Sequence, residues 1–496
     1  MNKYSKLKIV KSGHMKRYLH STLFIVCSLL LWSCGNKAGS DETIISKSND
    51  VWQQAKDIEA NIVVPQFEDA TFNIVDYGAK EGVDVNNSLA FAAAIAACSE
   101  TGGGRVVVPK GVFYTGAIHL LDNVNLHLEE GSEVRFSTNP KDYLPVVHTS
   151  FEGTELMNYS PLIYAKDKKN IAVTGKGTLN GQANNEHWWW WCGKDFYGWK
   201  EGQPEQKDAQ SRPRLVDLAA KDVPVEERIF GENHYLRPSF IEFLDCENIL
   251  IEGVKIVNAP FWVVHPLKSK HVTVDGITVE SHGPNNDGCD PEYCSDVVIK
   301  NCHFNTGDDC IAIKSGRNED GRRVAIKSER IIVRDCEMLD GHGGVVMGSE
   351  ISAGVSDVFV ENCIMNSPNL DRAIRIKTNS KRGGLVENIH VRNIKVGQVK
   401  EAVLKVNMFY ATYNDQKGDF IPEVRNVTLE NIEVKNGGYY GILAKGYPES
   451  PIENITFKNV KIEQVDEAFS LENVKGLRLI DTYINGELMQ SPALTN

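Results

Sequence analysis

The chain of 496 residues has no Cys-x-x-Cys pair, no basic excess and no apolar run long enough to cross a bilayer. Without closely spaced cysteines a thiolate zinc site is disfavoured. With 54 Lys and Arg against 66 Asp and Glu, the net charge is −12. No basic stripe is left for nucleic acid, although local Arg and Lys can still serve an anionic ligand. A leucine-rich consensus is also missing, which removes one class of repeat protein.

What is present begins with a targeting segment. Lys16, Arg17 and His20 precede the apolar run Leu23–Leu31, which ends at Leu31-Trp32-Ser33-Cys34-Gly35. A basic region, a short apolar stretch and a small residue before Cys resemble a bacterial lipoprotein signal. Residues 1–34 are therefore read as a signal segment starting at Met15 or Met1. Cys34 is read as the lipid anchor in the outer membrane, facing the periplasm, with surface display as the alternative. Residues 35–65 read as a polar linker, and 66–496 as one catalytic domain of a monomer. Of the eleven cysteines, nine lie outside this segment. Several fall at inward strand positions, so buried free thiols are expected rather than a disulfide framework.

The C-terminal half repeats. NILIEGVKIVN (from Asn248), HVTVDGITVES (His271), DVVIKNCHFNT (Asp296), RIIVRDCEMLD (Arg330), DVFVENCIMNS (Asp357), NIHVRNIKVGQ (Asn388), NVTLENIEVKN (Asn426) and NITFKNVKIEQ (Asn454) recur every 23 to 38 residues. Each unit is two short alternating strands around a turn residue. The sixth position is Gly253, Gly276, Asn301, Asp335, Asn362, Asn393, Asn431 or Asn459. Gly, Asn and Asp tolerate left-handed backbone, so the column predicts one bend per coil, with Asn side chains stacked. Repeats of this length and strand content predict an all-β right-handed parallel β-helix. The helical pattern Ser88–Glu100 is a plausible plug for its N-terminal end. Residues 182–237, with WWWWCGKDFYGW, interrupt the repeat as a long insertion, the usual place for function. Its tryptophans are read as stacking on sugars, walling the cleft or packing the insertion.

The repeat also aligns the chemistry. GDDCIAIKSG (from Gly307), GHGGVVMGSE (from Gly341) and AIRIKTN (from Ala373) follow successive units. Matching them puts Lys314, Gly348 and Lys377 in one column and Ala312, Val346 and Arg375 in another. Asp308 then stacks with His342, and Asp287 of GPNNDGCD lies level with Asp309. A bend at Gly307 is expected to turn both adjacent carboxylates to one side. Carboxylates held together drive their pKa values apart, as acid–base chemistry requires. With two cations in reach of a uronate, the pattern fits hydrolysis of an acidic polysaccharide.

GPNNDGCD, TGDDCIAIKSG, GHGGVVMGSE and RIKTN, in this order, resemble the four signature blocks of the polygalacturonases, glycoside hydrolase family 28. The insertion is similar to bacterial exo-acting members. The resemblance implies inverting hydrolysis of α-1,4-galacturonosyl linkages without a metal. It implies Asp308 as general acid, Asp287 and Asp309 as water-activating bases, and His342 as the catalytic-site histidine. Arg375 and Lys377 would bind the galacturonate carboxylate, with Asn285 and Asp290 near the substrate. Asn286 departs from the usual Asn-Thr-Asp. A sugar-contacting tyrosine has Tyr410, Tyr439 and Tyr440 as candidates. A rhamnogalacturonan or other decorated-uronan hydrolase, a polysaccharide lyase and a non-catalytic adhesin remain as alternatives.

Overall fold

Alternating inward residues stack from coil to coil, and this column builds the core. Ile249, Val272, Val297, Ile331, Val358, Ile389, Val427 and Ile455 pair in register through seven successive parallel ladders. All eight side chains are fully buried, each stabilising the fold by about 1.5–3 kcal/mol. The computed structural model describes residues 50–411 and 417–491. The expected signal segment and Cys34 lie outside the described residues.

Successive coils build three parallel walls, as in a parallel β-helix, and the third is reduced to isolated bridges at Cys289 and Glu292. Taking one coil, Ile241–Leu244 belongs to the third wall, Glu247–Glu252 to the first and Lys255–Val257 to the second. Val264–Leu267 then returns to the third. The bend between first and second walls is the predicted column, with φ between 52° and 74° from Gly253 to Asn459. A second bend column was not foreseen. It falls on the first residue of each unit, from Asn248 to Asn454, with φ between 54° and 59°. This column includes His271 and Arg330, which have no preference for left-handed backbone. The coil geometry imposes it on them. Asparagines stack in both columns: Asn459 Nδ2 donates to Asn431 Oδ1 (2.8 Å) and Asn431 Nδ2 to Asn393 Oδ1 (3.1 Å). In the other column Asn454 Nδ2 donates to Asn426 Oδ1 (3.1 Å).

Helix α2 (Ser88–Glu100) buries Ala90, Phe91, Ala94, Ile95 and Cys98 against the first coil and closes the N-terminal end, as expected. At the other end a short antiparallel pair, Ile484 with Glu487, follows the last parallel ladder. The nine cysteines outside the signal segment are all buried and free.

The linker expected over 35–65 needs correction. Its second half contains helix α1 (Val51–Asn61), N-capped by Asp50, whose Oδ1 accepts from the Trp52 N–H. Trp52, Ala55 and Ile58 pack on Val298, Ile332 and Phe359, an outward apolar column of the first wall. Glu59 pairs with Arg334 at 2.7 Å. That receiving surface exists only once three coils are stacked, so the polar composition of the segment concealed it.

Residues 182–237 carry no wall strand. They hold short turns and helix α3 (Arg212–Ala220), which packs on helix α4 (Asn318–Val324). The tryptophans resolve into packing: Trp188 and Trp191 are buried against each other, Tyr143 and Tyr159. The Trp189 Nε1–H donates to the Ala259 carbonyl. An antiparallel hairpin, Val147–Phe151 with Thr154–Asn158, was not anticipated from the sequence.

Candidate active site

The chemistry sits in the turns from the second wall to the third, and on the third wall itself. Thr306 ends one strand and Ile311 begins the next, with Gly307, Asp308 and Asp309 between. Gly307 matters for close approach: a Cβ there would lie 2.6 Å from the Gly283 carbonyl oxygen of the preceding coil. The Asp308 carbonyl accepts from the His342 N–H (3.0 Å) and Thr306 Oγ1 (2.9 Å). The Asp309 N–H donates to Asp308 Oδ1 at 3.0 Å.

The predicted columns hold. Ala312, Val346 and Arg375 pair in register, as do Gly348 and Lys377. Cys289 pairs with Ile311, which sets Asp287 level with Asp309. Asp287, Asp308 and Asp309 each present an oxygen within 4.8 Å of the others. His342 Nδ1 lies 3.0 Å from Asp308 Oδ1. Lys377 Nζ and Arg375 Nη1 reach Asp309 at 2.5 and 3.4 Å. The Tyr410 ring lies 5.3 Å from Lys377 Nζ and 5.4 Å from the Arg375 guanidinium, facing the cleft. It is therefore the tyrosine of the three candidates that the fold brings to the site; Tyr439 is exposed.

Lys314 is a site residue that motif matching passed over. Its Nζ stands 3.3 Å from both Asp287 and Asp290 and 3.6 Å from Glu350, beneath the Trp262 ring. The signal was its place in the Lys377 column. Asp290 requires a correction. It was expected near the substrate, but it is completely buried and forms no part of the cleft lining. Its charged neighbours are Lys314 and Asp287.

Asn285 does line the cleft, and its Oδ1 accepts from Arg237 at 2.8 Å. Arg237, fully buried, also donates to the Pro284 and Pro260 carbonyls and so clamps the GPNND turn. Asn286 explains its departure from the motif. Its Oδ1 accepts from Ser281 Oγ and the Gly283 N–H, and its Nδ2 donates to the Ala259 and Phe261 carbonyls. Asn286 thus staples the turn that presents Asp287.

The electrostatics separate the carboxylates. Burial lifts Asp287; Lys314 pulls it back, Asp308 and Asp309 push it up, and it comes to about 7. Burial also lifts Asp308, but the hydrogen bond and charge of His342, with Lys377 and Lys314, outweigh this and hold it below the usual carboxylate range. His342 is raised in turn by its bond to Asp308. Burial and the charge of Asp287 push Asp290 far up. Protons of the cluster therefore rest on Asp287 and Asp290 rather than on Asp308. The three oxygens are close enough for a divalent cation, but Lys314, Lys377 and Arg375 already supply positive charge to them.

Asp287, Asp308, Lys314 and Lys377 line a cleft of about 450 Å³. The insertion contributes Cys192, Lys194, Gln206, Lys207 and Arg212 to its wall. Outward-facing residues of the third wall change character along the helix. Tyr164, Glu242 and His265 pair in register, Asp290 continues the column, and all four are buried. The hairpin lies over the first two: Thr149 Oγ1 donates to Glu242 at 2.6 Å and Tyr164 Oη to the His148 carbonyl at 2.6 Å. One end of the cleft is therefore closed just before the carboxylate cluster.

A parallel β-helix carrying three carboxylates, a histidine and two cations on one face is the architecture of a polysaccharide-cleaving enzyme. A family model for glycosyl hydrolases family 28 matches residues 231–482. An exopolygalacturonase structure from Thermotoga maritima is 44% identical, with a TM-score of 0.83 over 86% of this chain and 94% of that one. The exo-poly-alpha-D-galacturonosidase of Dickeya chrysanthemi is 28% identical over 73% of this chain and 61% of its own length. The endo-polygalacturonase of Pectobacterium carotovorum subsp. carotovorum is 26% identical over 74% of this chain and 81% of its own. The chain belongs to glycosyl hydrolases family 28, and it is a glycosidase that hydrolyses O-glycosyl bonds.

Proposed function

We propose that the protein is an exo-acting polygalacturonase that shortens α-1,4-galacturonan from the non-reducing side. The observation that carries this is the buried column Tyr164–Glu242–His265–Asp290, whose first two residues lie beneath the hairpin. A mid-chain cut needs polymer on both sides of the carboxylates, and one side is filled. The named exo-acting relatives support the same reading.

Arg375 and Lys377 receive a uronate carboxylate. Its arrival offsets the charge of Lys377, which adds to the larger effect of His342 in holding Asp308 low, and this favours passage of the proton from Asp287 to Asp308. Asp308 protonates the leaving oxygen, and Asp287 and Asp309 activate water. His342 orients Asp308 through the Nδ1 contact. Inverting pairs usually stand about 6.5–9.5 Å apart, whereas these oxygens lie within 4.8 Å. Inversion here rests on the third carboxylate: Asp287 and Asp309 together hold a water, and each is pinned by a cation.

Product analysis on polygalacturonate tests the mode. Monomer or short-product release with slow viscosity loss is expected; random fragments with a rapid viscosity drop overturn it. Proton NMR of the first-formed product tests inversion, with the β-anomer expected and the α-anomer refuting it. Parallel incubation with rhamnogalacturonan checks the substrate. Export and lipidation at Cys34 complete the proposal. A fatty-acid label on wild type that persists in Cys34→Ala would remove that anchor.

A further inference from the structure

The turn that carries His342 is poorly fixed by its own sequence. Gly341, with φ 142°, precedes the histidine, and Gly343 and Gly344 follow it. Glycines on both sides make the flanking peptides easy to rotate. The His342 side chain is half exposed, so packing does little to hold the ring. Its place beside Asp308 is therefore set by what grips the backbone.

The first half of the turn is gripped from the preceding coil. The Asp340 carbonyl accepts from Cys310 Sγ (3.0 Å) and Thr306 Oγ1 (3.2 Å), and the Asp340 carboxylate accepts from the Gly341 N–H (2.8 Å). The second half is gripped from the following coil. Arg372 Nη1 donates to the His342 carbonyl at 3.0 Å, and among the described residues it is the one side chain bonded to that oxygen. Arg372 is itself held at both nitrogens: Nη1 also donates to Asp371 Oδ2 (2.8 Å), and Nη2 pairs with Glu401. Glu401 in turn pairs with Lys405. The Asp371 N–H donates to the Gly341 carbonyl (3.0 Å), and the Gly344 N–H to the Arg372 carbonyl (2.9 Å). Two carboxylates meet the guanidinium charge, so Arg372 offers a fixed hydrogen bond rather than a free cation. Ion pairing between coils would account for Asp371 and Glu401. It does not account for the third bond, aimed at the His342 peptide.

We propose that Arg372 is a positioning residue for the hydrolysis: it fixes the His342 peptide between its glycines and so keeps the imidazole on Asp308. It acts through His342 and not on the sugar. This rests on the role given to His342 above.

The test is a double-mutant cycle read on trigalacturonate. Arg372→Met is expected to lower kcat about 10- to 100-fold, the usual worth of a hydrogen bond from a charged group, with KM nearly unchanged. In a His342→Ala background the same substitution should cost less than about 2-fold, because the two residues act as one unit. Arg372→Lys, which can still donate to the carbonyl, should recover part of the rate. The His342 ring, followed by NMR, should titrate lower in Arg372→Met, because it leaves Asp308. Mere loss of a nearby cation would move it upward. Glu401→Gln, which loosens the grip on Arg372, should shift rate and titration in the same direction and serves if Arg372→Met melts early. Equal losses in the two backgrounds, a change confined to KM, or an upward shift of His342 overturns the proposal. Near-normal turnover in His342→Ala alone refutes the role of His342 instead, and the NMR shift then still decides whether Arg372 holds the ring.

Discussion

His342 Nδ1 and Asp308 Oδ1 stand 3.0 Å apart although 34 residues separate them in the chain. One turn of the β-helix brings them together, and each shifts the other. The carboxylate raises the imidazole, and the imidazole holds the carboxylate low. The contact stabilises the fold between two limits. Asp308, depressed, contributes above about pH 3.9 and loses this as pH falls through its folded value. His342, raised, contributes below about pH 6.5 and loses this as pH rises through its folded value.

Asp308→Asn is expected to lower kcat by at least about 10²–10⁴-fold, the usual share of a general acid. Circular dichroism should remain unchanged. His342, deprived of its partner's charge, should titrate lower by NMR. Near-normal turnover in this variant refutes the acid assignment.

The pH profile of kcat/KM should fall on its alkaline side near pH 7, where the proton held on Asp287 is lost from the free enzyme. Lys314 pulls Asp287 down, so its removal lifts Asp287 further. In Lys314→Met the alkaline limb is expected at higher pH, beside any loss in rate. A limb that stays in place or moves down contradicts this arrangement.

Lys377→Ala should weaken the binding of oligogalacturonides and raise KM, because the cation facing the uronate carboxylate is gone. It should also leave Asp309 without its 2.5 Å partner, so kcat falls too. Unchanged KM and kcat on trigalacturonate would remove Lys377 from the site.

His265 predicts an alkaline sensitivity of the fold. It lies fully buried between Glu242 (3.1 Å) and Glu292 (2.9 Å). Burial lowers its pKa, but the two carboxylates outweigh this and raise it to about 9. Its stabilisation is complete below about pH 6.5 and is lost as pH rises through about 9. This amounts to as much as about 3 kcal/mol. Urea unfolding at intervals from pH 6 to 9.5 should show the decline, and a flat profile excludes it.

Local pattern carried much of this protein. The Gly, Asn and Asp column marked one bend per coil because only such residues adopt left-handed backbone cheaply. Strand alternation then fixed which residues face inward, and coil stacking at a constant spacing aligned Asp287, Asp308, Asp309, His342, Arg375 and Lys377. These are relations between one coil and the next, and a repeating sequence encodes them directly. The tertiary structure alone decided what lies over the face. The hairpin covers Tyr164 and Glu242, α1 docks on Val298, Ile332 and Phe359, and the four tryptophans turn to packing. It also decided where the proton rests, since Asp287 owes its pKa to desolvation and to charges from two other coils. Burial and long-range charge depend on every neighbour in space, and the repeat specifies only the neighbours along the coil.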